Sequence, residues 1–187
     1  KQKFNWARVL KHEFVHVVNL QQTNFNIPHW YTEALAVLNE NQKRPPPWHD
    51  LLSERGPAGK KFNLDTINLG FIRPHSSGDW TMAYCQAELY AEYMVERFGA
   101  DALSKMLSAY ADNLSTAEAL KRSFHIEQAD FEKGYREHLD KVVAGLRPGK
   151  KAAAAKPQTF AQLQKALAAD PENLDLQAAL AQGHLDR

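Results

Sequence analysis

The sequence predicts a mainly α fold, and three observations carry that expectation. Apolar residues recur at spacings of three and four in long segments free of proline and glycine. Capping residues stand where those segments begin and end, and proline- or asparagine-rich stretches separate them.

In chain order, the first helix is expected from about Phe4 to Gln22, with Phe4, Val9, Leu10, Phe14, Val17, Val18 and Leu20 at helical spacing. The stretch "TNFNIP" breaks the pattern with turn-forming asparagines and Pro28. A second helix runs from about His29 to Asn41 and ends at "KRPPPW", where three prolines remove backbone donors. A short helical turn follows near Trp48 to Glu54. From Gly56 to Gly78 the sequence reads as irregular, with "TINLGFI" as a packed loop. Asp79 is the expected N-cap of a long helix that Gly99 stops near Phe98. Three further helices are expected near residues 101–111, 115–124 and 127–146, the middle one opened by a Ser115 and Glu118 capping box.

Residues 147–158, "RPGKKAAAAKPQ", read as a linker between a first domain, 1–146, and a tail, 159–187. The tail reads as two helices joined at "DPEN" and resembles the helical hairpin of a tetratricopeptide repeat. One such unit cannot bury its apolar face alone, so it packs on other structure or on further repeats.

With 187 residues the chain holds one domain with a core and a small appendage. Its 23 lysines and arginines nearly balance 22 aspartates and glutamates, which gives no electrostatic reason to expect nucleic acid. No apolar run approaches the roughly 18 residues of a membrane span. A single cysteine, Cys85, excludes an internal disulfide and any multi-cysteine metal site, and is expected as a small buried hydrophobe. Compartment and oligomeric state stay open. The chain starts without methionine, almost directly in an amphipathic pattern, as an excised piece of a longer protein would.

The motif that carries chemistry is "HEFVH", residues 12–16. On a helix His12 and His16 are offset by roughly 40° and stand one turn apart, so both imidazoles reach one ion. Glu13 is offset by roughly 100° from His12, beside the ion, where a general base must stand to take a proton from a metal-held water. Catalytic zinc wants a third protein ligand and an open fourth position. The first helix climbs roughly 9 Å beyond His16 and the second returns roughly 6 Å before Glu33, so Glu33 faces His16 across an antiparallel pair.

"HEFVH" followed by "IPHWYTEALAV" resembles the gluzincin zinc metallopeptidases, most closely the peptidase MA-like families. The likeness extends to about residue 146 through "AYCQAELYAEYMVERFG", and families of this type often carry tetratricopeptide repeats. The resemblance implies Zn2+ on His12, His16 and Glu33, with Glu13 as general base. Ala34 stands where the family usually has glycine, a change that a helix interior accepts. It further implies a hydroxyl or imidazole donor for the developing oxyanion. Tyr84 matches that position, although it equally reads as an inward-packing residue beside Trp80, Tyr90 and Met94. His75 is the alternative donor, and Tyr31 and Tyr90 are weaker candidates.

Among the neighbours, Asn19 is expected either to orient His16 or to be exposed on the helix. His29 is expected to flank the cleft instead of binding metal. Glu88, Glu92 and Glu96 read as a solvated stripe, and His49, His125, His138 and His184 as surface residues. The resulting expectation is the helical catalytic subdomain of a zincin-like metallopeptidase, with a C-terminal helical hairpin that recruits a protein partner. Zincins align peptides on a sheet that precedes the active-site helix, and only eleven residues precede His12. The segment is therefore expected to bind zinc but hydrolyse peptides weakly or not at all. Two other readings stand beside it: a helical protein-binding module whose zinc is structural or vestigial, and a metal-free helical domain.

Overall fold

In the computed structural model of the chain, the residues described are 5–40, 42–56, 59, 61–146 and 160–169. They form nine helices and no strand: α1 Trp6–Gln22, α2 His29–Asn39, α3 Pro46–Arg55, α4 Ile67–Ile72, α5 Ser77–Phe98, α6 Ala102–Ala111, α7 Thr116–Phe124, α8 Gln128–Gly145 and α9 Phe160–Ala169. The mainly α fold is thus the observed one. The chain divides into two units, Lys1–Arg147 and Pro148–Arg187. Of the second, α9 is described. The expected linker, the "DPEN" turn and the second tail helix lie outside the described residues. No helix described is long and apolar enough to cross a membrane.

The centre of the first unit is α2, whose residues Trp30 to Ala36 are all buried. An uninterrupted buried run means that the helix is covered on every side. It packs chiefly on α5 and α1, with α4 closing a further side. Pro28, extended at φ −64°, opens α2. The turn before it uses left-handed backbone at Asn24 and Phe25, φ 49° and 63°. Asparagine tolerates that region, and Phe25 leaves its ring 74% exposed there.

Three boundaries differ from the sequence expectation for identifiable reasons. α3 starts at Pro46 instead of near Trp48, because proline in a first turn forfeits a donor that has no helical acceptor anyway. "TINLGFI" contains a short helix, α4, with Ile67, Gly70 and Phe71 buried. Gly70 is where α4 meets α5: a Cβ there would lie 2.7 Å from the Ala83 Cβ. The N-cap of α5 is Ser76, whose Oγ accepts from the Asp79 N–H at 3.2 Å. Asp79 is three residues inside, and its carboxylate accepts from the His75 N–H. Gly99, φ 96°, ends α5, and the Ser115 and Glu118 capping box opens α7.

The apolar residues at helical spacing on α1 do not share one environment. Leu20 packs on the core, as does Val15 from outside that set. Leu10, Phe14 and Val17 are 71%, 63% and 51% exposed. At 100° per residue these three sit about 140–200° around the helix from His12. The face α1 turns to α2 is the one bearing the histidines.

Candidate metal centre

His12 and His16 project from α1 one turn apart, their rings edge to face at 4.8 Å. Glu33 comes from the buried middle of α2. Its Oε2 lies 3.3 Å from His12 Nε2 and 3.5 Å from His16 Nε2. Ligand atoms of the three residues all lie within 4.8 Å of one another.

Each of the three is held from behind. His12 Nδ1 lies 2.8 Å from Glu40 Oε1. A carboxylate only accepts, so this nitrogen carries the proton and donates. His16 Nδ1 lies 2.8 Å from Thr32 Oγ1. Glu33 Oε1 is 3.0 Å from Nε2 of His29, one turn earlier on α2. The two histidine Nε2 atoms are left facing Glu33 Oε2. That oxygen is buried and has no hydrogen-bond partner.

The electrostatics follow from burial and pairing. Burial pushes the Glu33 carboxyl up, but pairing with His12, then His16 and His29, holds it well below the usual carboxylate range. Pairing with Glu33 holds His12 above its ordinary value against the pull of burial, with Glu40 adding to the effect.

Glu13 is exposed and lines, with His12 and Tyr84, a cavity of about 570 Å³. The half-buried Tyr84 ring stands edge-on to Phe71 and to Trp80. Burial first, and then the negative charge of Glu33, holds its hydroxyl above the ordinary phenol value, so it stays protonated and able to donate. His75 is exposed and does not line the cavity. The remaining tyrosine candidates are used in the core, where the Tyr31 hydroxyl donates to the Leu103 carbonyl and the Tyr90 hydroxyl to Glu132. Both rings are fully buried.

Four expectations are corrected. Asn19 neither orients His16 nor faces solvent. It is buried, its Nδ2 is without a hydrogen-bond partner, and Thr32 takes the place beside His16. Glu88 is no solvated residue, being 5% exposed against Arg44. Glu92 and Glu96, further along α5, are more open. His138 is mostly buried, with Nδ1 3.1 Å from Glu96 Oε2 and its ring against Tyr93. His49 is half-buried, whereas His125 is exposed at the end of α7. His184 lies outside the described residues. His29 stands where expected, at the flank of the cluster.

Glu40 and Thr32 are the participants that sequence reasoning missed. Glu40 is seven residues from Glu33, two turns along the same face of α2, and that spacing was the available signal. Thr32 gives no comparable signal, because a threonine adjoining a ligand is uninformative without the packing.

No family model matches the sequence, and no curated protein or solved structure is significantly similar to it. The donors themselves define what the arrangement can do. Tetrahedral zinc with bonds of about 2.0–2.1 Å holds its ligand atoms about 3.3–3.4 Å apart. The Glu33 oxygen stands 3.3 and 3.5 Å from the two imidazole nitrogens. Two imidazoles and a carboxylate form a borderline donor set suited to zinc, and three protein ligands leave one position open.

Proposed function

We propose that this chain is a zinc-dependent peptide-bond hydrolase of the gluzincin, peptidase MA-like kind, with His12, His16 and Glu33 holding the metal. The observation that carries the proposal is the buried Glu33 Oε2, unbonded between two Nε2 atoms at tetrahedral ligand spacing. Beyond its charge pairing with the two imidazoles, this buried oxygen has no hydrogen bond, which is costly in a folded protein. A cation at that point removes the cost.

Zinc supplies Lewis acidity when bound, polarising the scissile carbonyl and making water a better nucleophile near neutral pH. The protein supplies the proton traffic. Glu13 takes the proton of the attacking water and delivers it to the leaving amine. Tyr84, kept protonated by its surroundings, donates to the carbonyl oxygen as negative charge develops there. Glu40, Thr32 and His29 hold the ligands in register.

An enzyme is favoured over a structural zinc site by two features. Structural zinc is closed by four protein ligands, whereas three converge here among the described residues, and an exposed carboxylate, Glu13, lines the adjoining cavity. Metal analysis of protein purified without added zinc, followed by zinc titration, tests the first half of the proposal. A stoichiometry that stays near zero refutes it. Glu13→Gln tests the second, with a quenched peptide library as substrate. The variant keeps zinc and loses hydrolysis, and equal activity in variant and wild type removes Glu13 as the base.

A further inference from the structure

The cavity beside the cluster carries an argument about what the proposed hydrolase recognises, and this inference rests on that reading. Its charged residues are largely engaged with one another. Arg8 pairs with Glu40 at 3.4 Å, and Glu40 also accepts from His12. Arg44 bonds Glu92 at 3.0 Å and stands 3.8 Å from the buried Glu88. Lys43 is exposed to solvent, and Glu13 is the proposed base. The exception is Glu88, whose Oε2 is buried without a hydrogen bond, Arg44 standing 3.8 Å away; the lysine probe below reads whether it draws a cationic side chain.

The rest of the lining is mostly apolar. Val9, Val37, Pro45, Pro46, Trp48 and Trp80 surround the same space as His12, Glu13 and Tyr84. Trp80 leaves 48% of its surface open while its ring stands 4.8 Å from that of Tyr84. An exposed tryptophan beside a reactive centre is an anchor in search of apolar surface. The volume, about 570 Å³, is within the range of small-ligand pockets and accommodates a large side chain with its flanking backbone.

We infer that this cavity is the specificity pocket of the hydrolase, selecting peptides with a large aliphatic or aromatic side chain next to the scissile bond. Trp80 is the residue that discriminates. It acts by covering the side chain of the substrate, and takes no part in the proton transfers.

The test uses the zinc-loaded full chain and small chelating probes, so that it does not depend on turnover. Acetohydroxamate, which has no side chain, reports metal alone. Hydroxamates of N-acetylated glycine, alanine, leucine, phenylalanine, aspartate and lysine report the pocket. By calorimetry the leucine and phenylalanine probes bind at least about tenfold tighter than the alanine, aspartate and lysine probes. Trp80→Ala collapses that preference, whereas Trp80→Phe retains most of it, and both bind acetohydroxamate as the wild type does. A flat series with acetohydroxamate binding intact overturns the inference and leaves the metal site standing. Tighter binding of the aspartate or lysine probe overturns it too. If zinc-loaded wild type fails to bind acetohydroxamate, the open coordination position is refuted, and the pocket assignment falls with it.

Discussion

Replacing Glu40 probes the cluster without touching a proposed ligand. Its Oε1 is 2.8 Å from His12 Nδ1, and its other oxygen is 3.4 Å from an Arg8 guanidinium that is 43% exposed. An ion pair that open contributes at most about 1 kcal/mol. The bond to His12 matters more, since it fixes which ring nitrogen faces Glu33. Loss of such an outer partner weakens zinc binding about 10–100-fold, or about 1.4–2.7 kcal/mol. An opposing effect exists. Glu40 contributes to the raised His12 value, so removing it reduces proton competition for the imidazole. Titrating zinc across a pH series separates the two, because proton competition fades as pH rises whereas the orienting contribution does not. Zinc affinity of Glu40→Ala, measured by competition with a chromophoric chelator, therefore falls 10–100-fold, while Glu40→Gln, which keeps an accepting oxygen, loses about tenfold or less. Glu40 ends α2 with ordinary helical angles, φ −62° and ψ −22°, so alanine imposes no backbone strain. A zinc affinity for Glu40→Ala within twofold of wild type refutes the assignment. A fall in metal-free thermal stability with unchanged affinity gives Glu40 a purely structural role.

Glu33→Ala removes the carboxylate altogether, and zinc affinity falls by more than in Glu40→Ala; equal affinities in the two variants place the third ligand elsewhere. Glu88, chiefly through burial, titrates at about 7 instead of 4.5, opposed by Arg44 and supported by the charges of Glu92 and Glu40. The folded state therefore binds this proton more tightly than the unfolded chain. The associated stability is fully present below pH 4.5 and is lost as pH rises to 7, by about 3 kcal/mol. Chemical denaturation of Glu88→Gln across that range shows a shallower fall, and parallel profiles for variant and wild type discard the assignment. Gly70→Ala sets helix propensity, worth about 1 kcal/mol in favour, against a Cβ 2.7 Å from Ala83 Cβ and 2.9 Å from the Phe62 ring. Overpacking costs about 1–3 kcal/mol, so the variant melts lower, and a raised melting temperature shows that α4 moves aside.

Helix type and order were legible because the apolar spacing and the caps agree, as at Ser115 and Glu118. Where they failed, a residue had two meanings. "TINLGFI" reads as a packed loop until Gly70 is seen against α5, and Pro46 ends one helix in the sequence but starts another in space. The stripe on α1 shows a limit of periodicity, which finds an apolar face without saying whether anything covers it. At the candidate centre, the spacing of His12, His16 and Glu33 was enough to anticipate their convergence. Glu40 and Thr32 required coordinates, because outer hydrogen bonds depend on side-chain distances that no one-dimensional spacing encodes.

The burial of the Trp30–Ala36 run of α2 has a consequence for how the cluster moves. Glu33 rides on the helix that neighbours enclose on every side, whereas the histidines ride on α1, which has one packed face and one open face. Such a pair has unequal local opening free energies: α2 exchanges its amide hydrogens only by deep unfolding, and α1 by shallower excursions. An ion joining residues 12, 16 and 33 is then a removable cross-link, closing a loop across the Asn24–Phe25 turn and tying the looser helix to the tighter one. Metal occupancy would be written in the exchange rates of α1, with α2 as the unmoving reference.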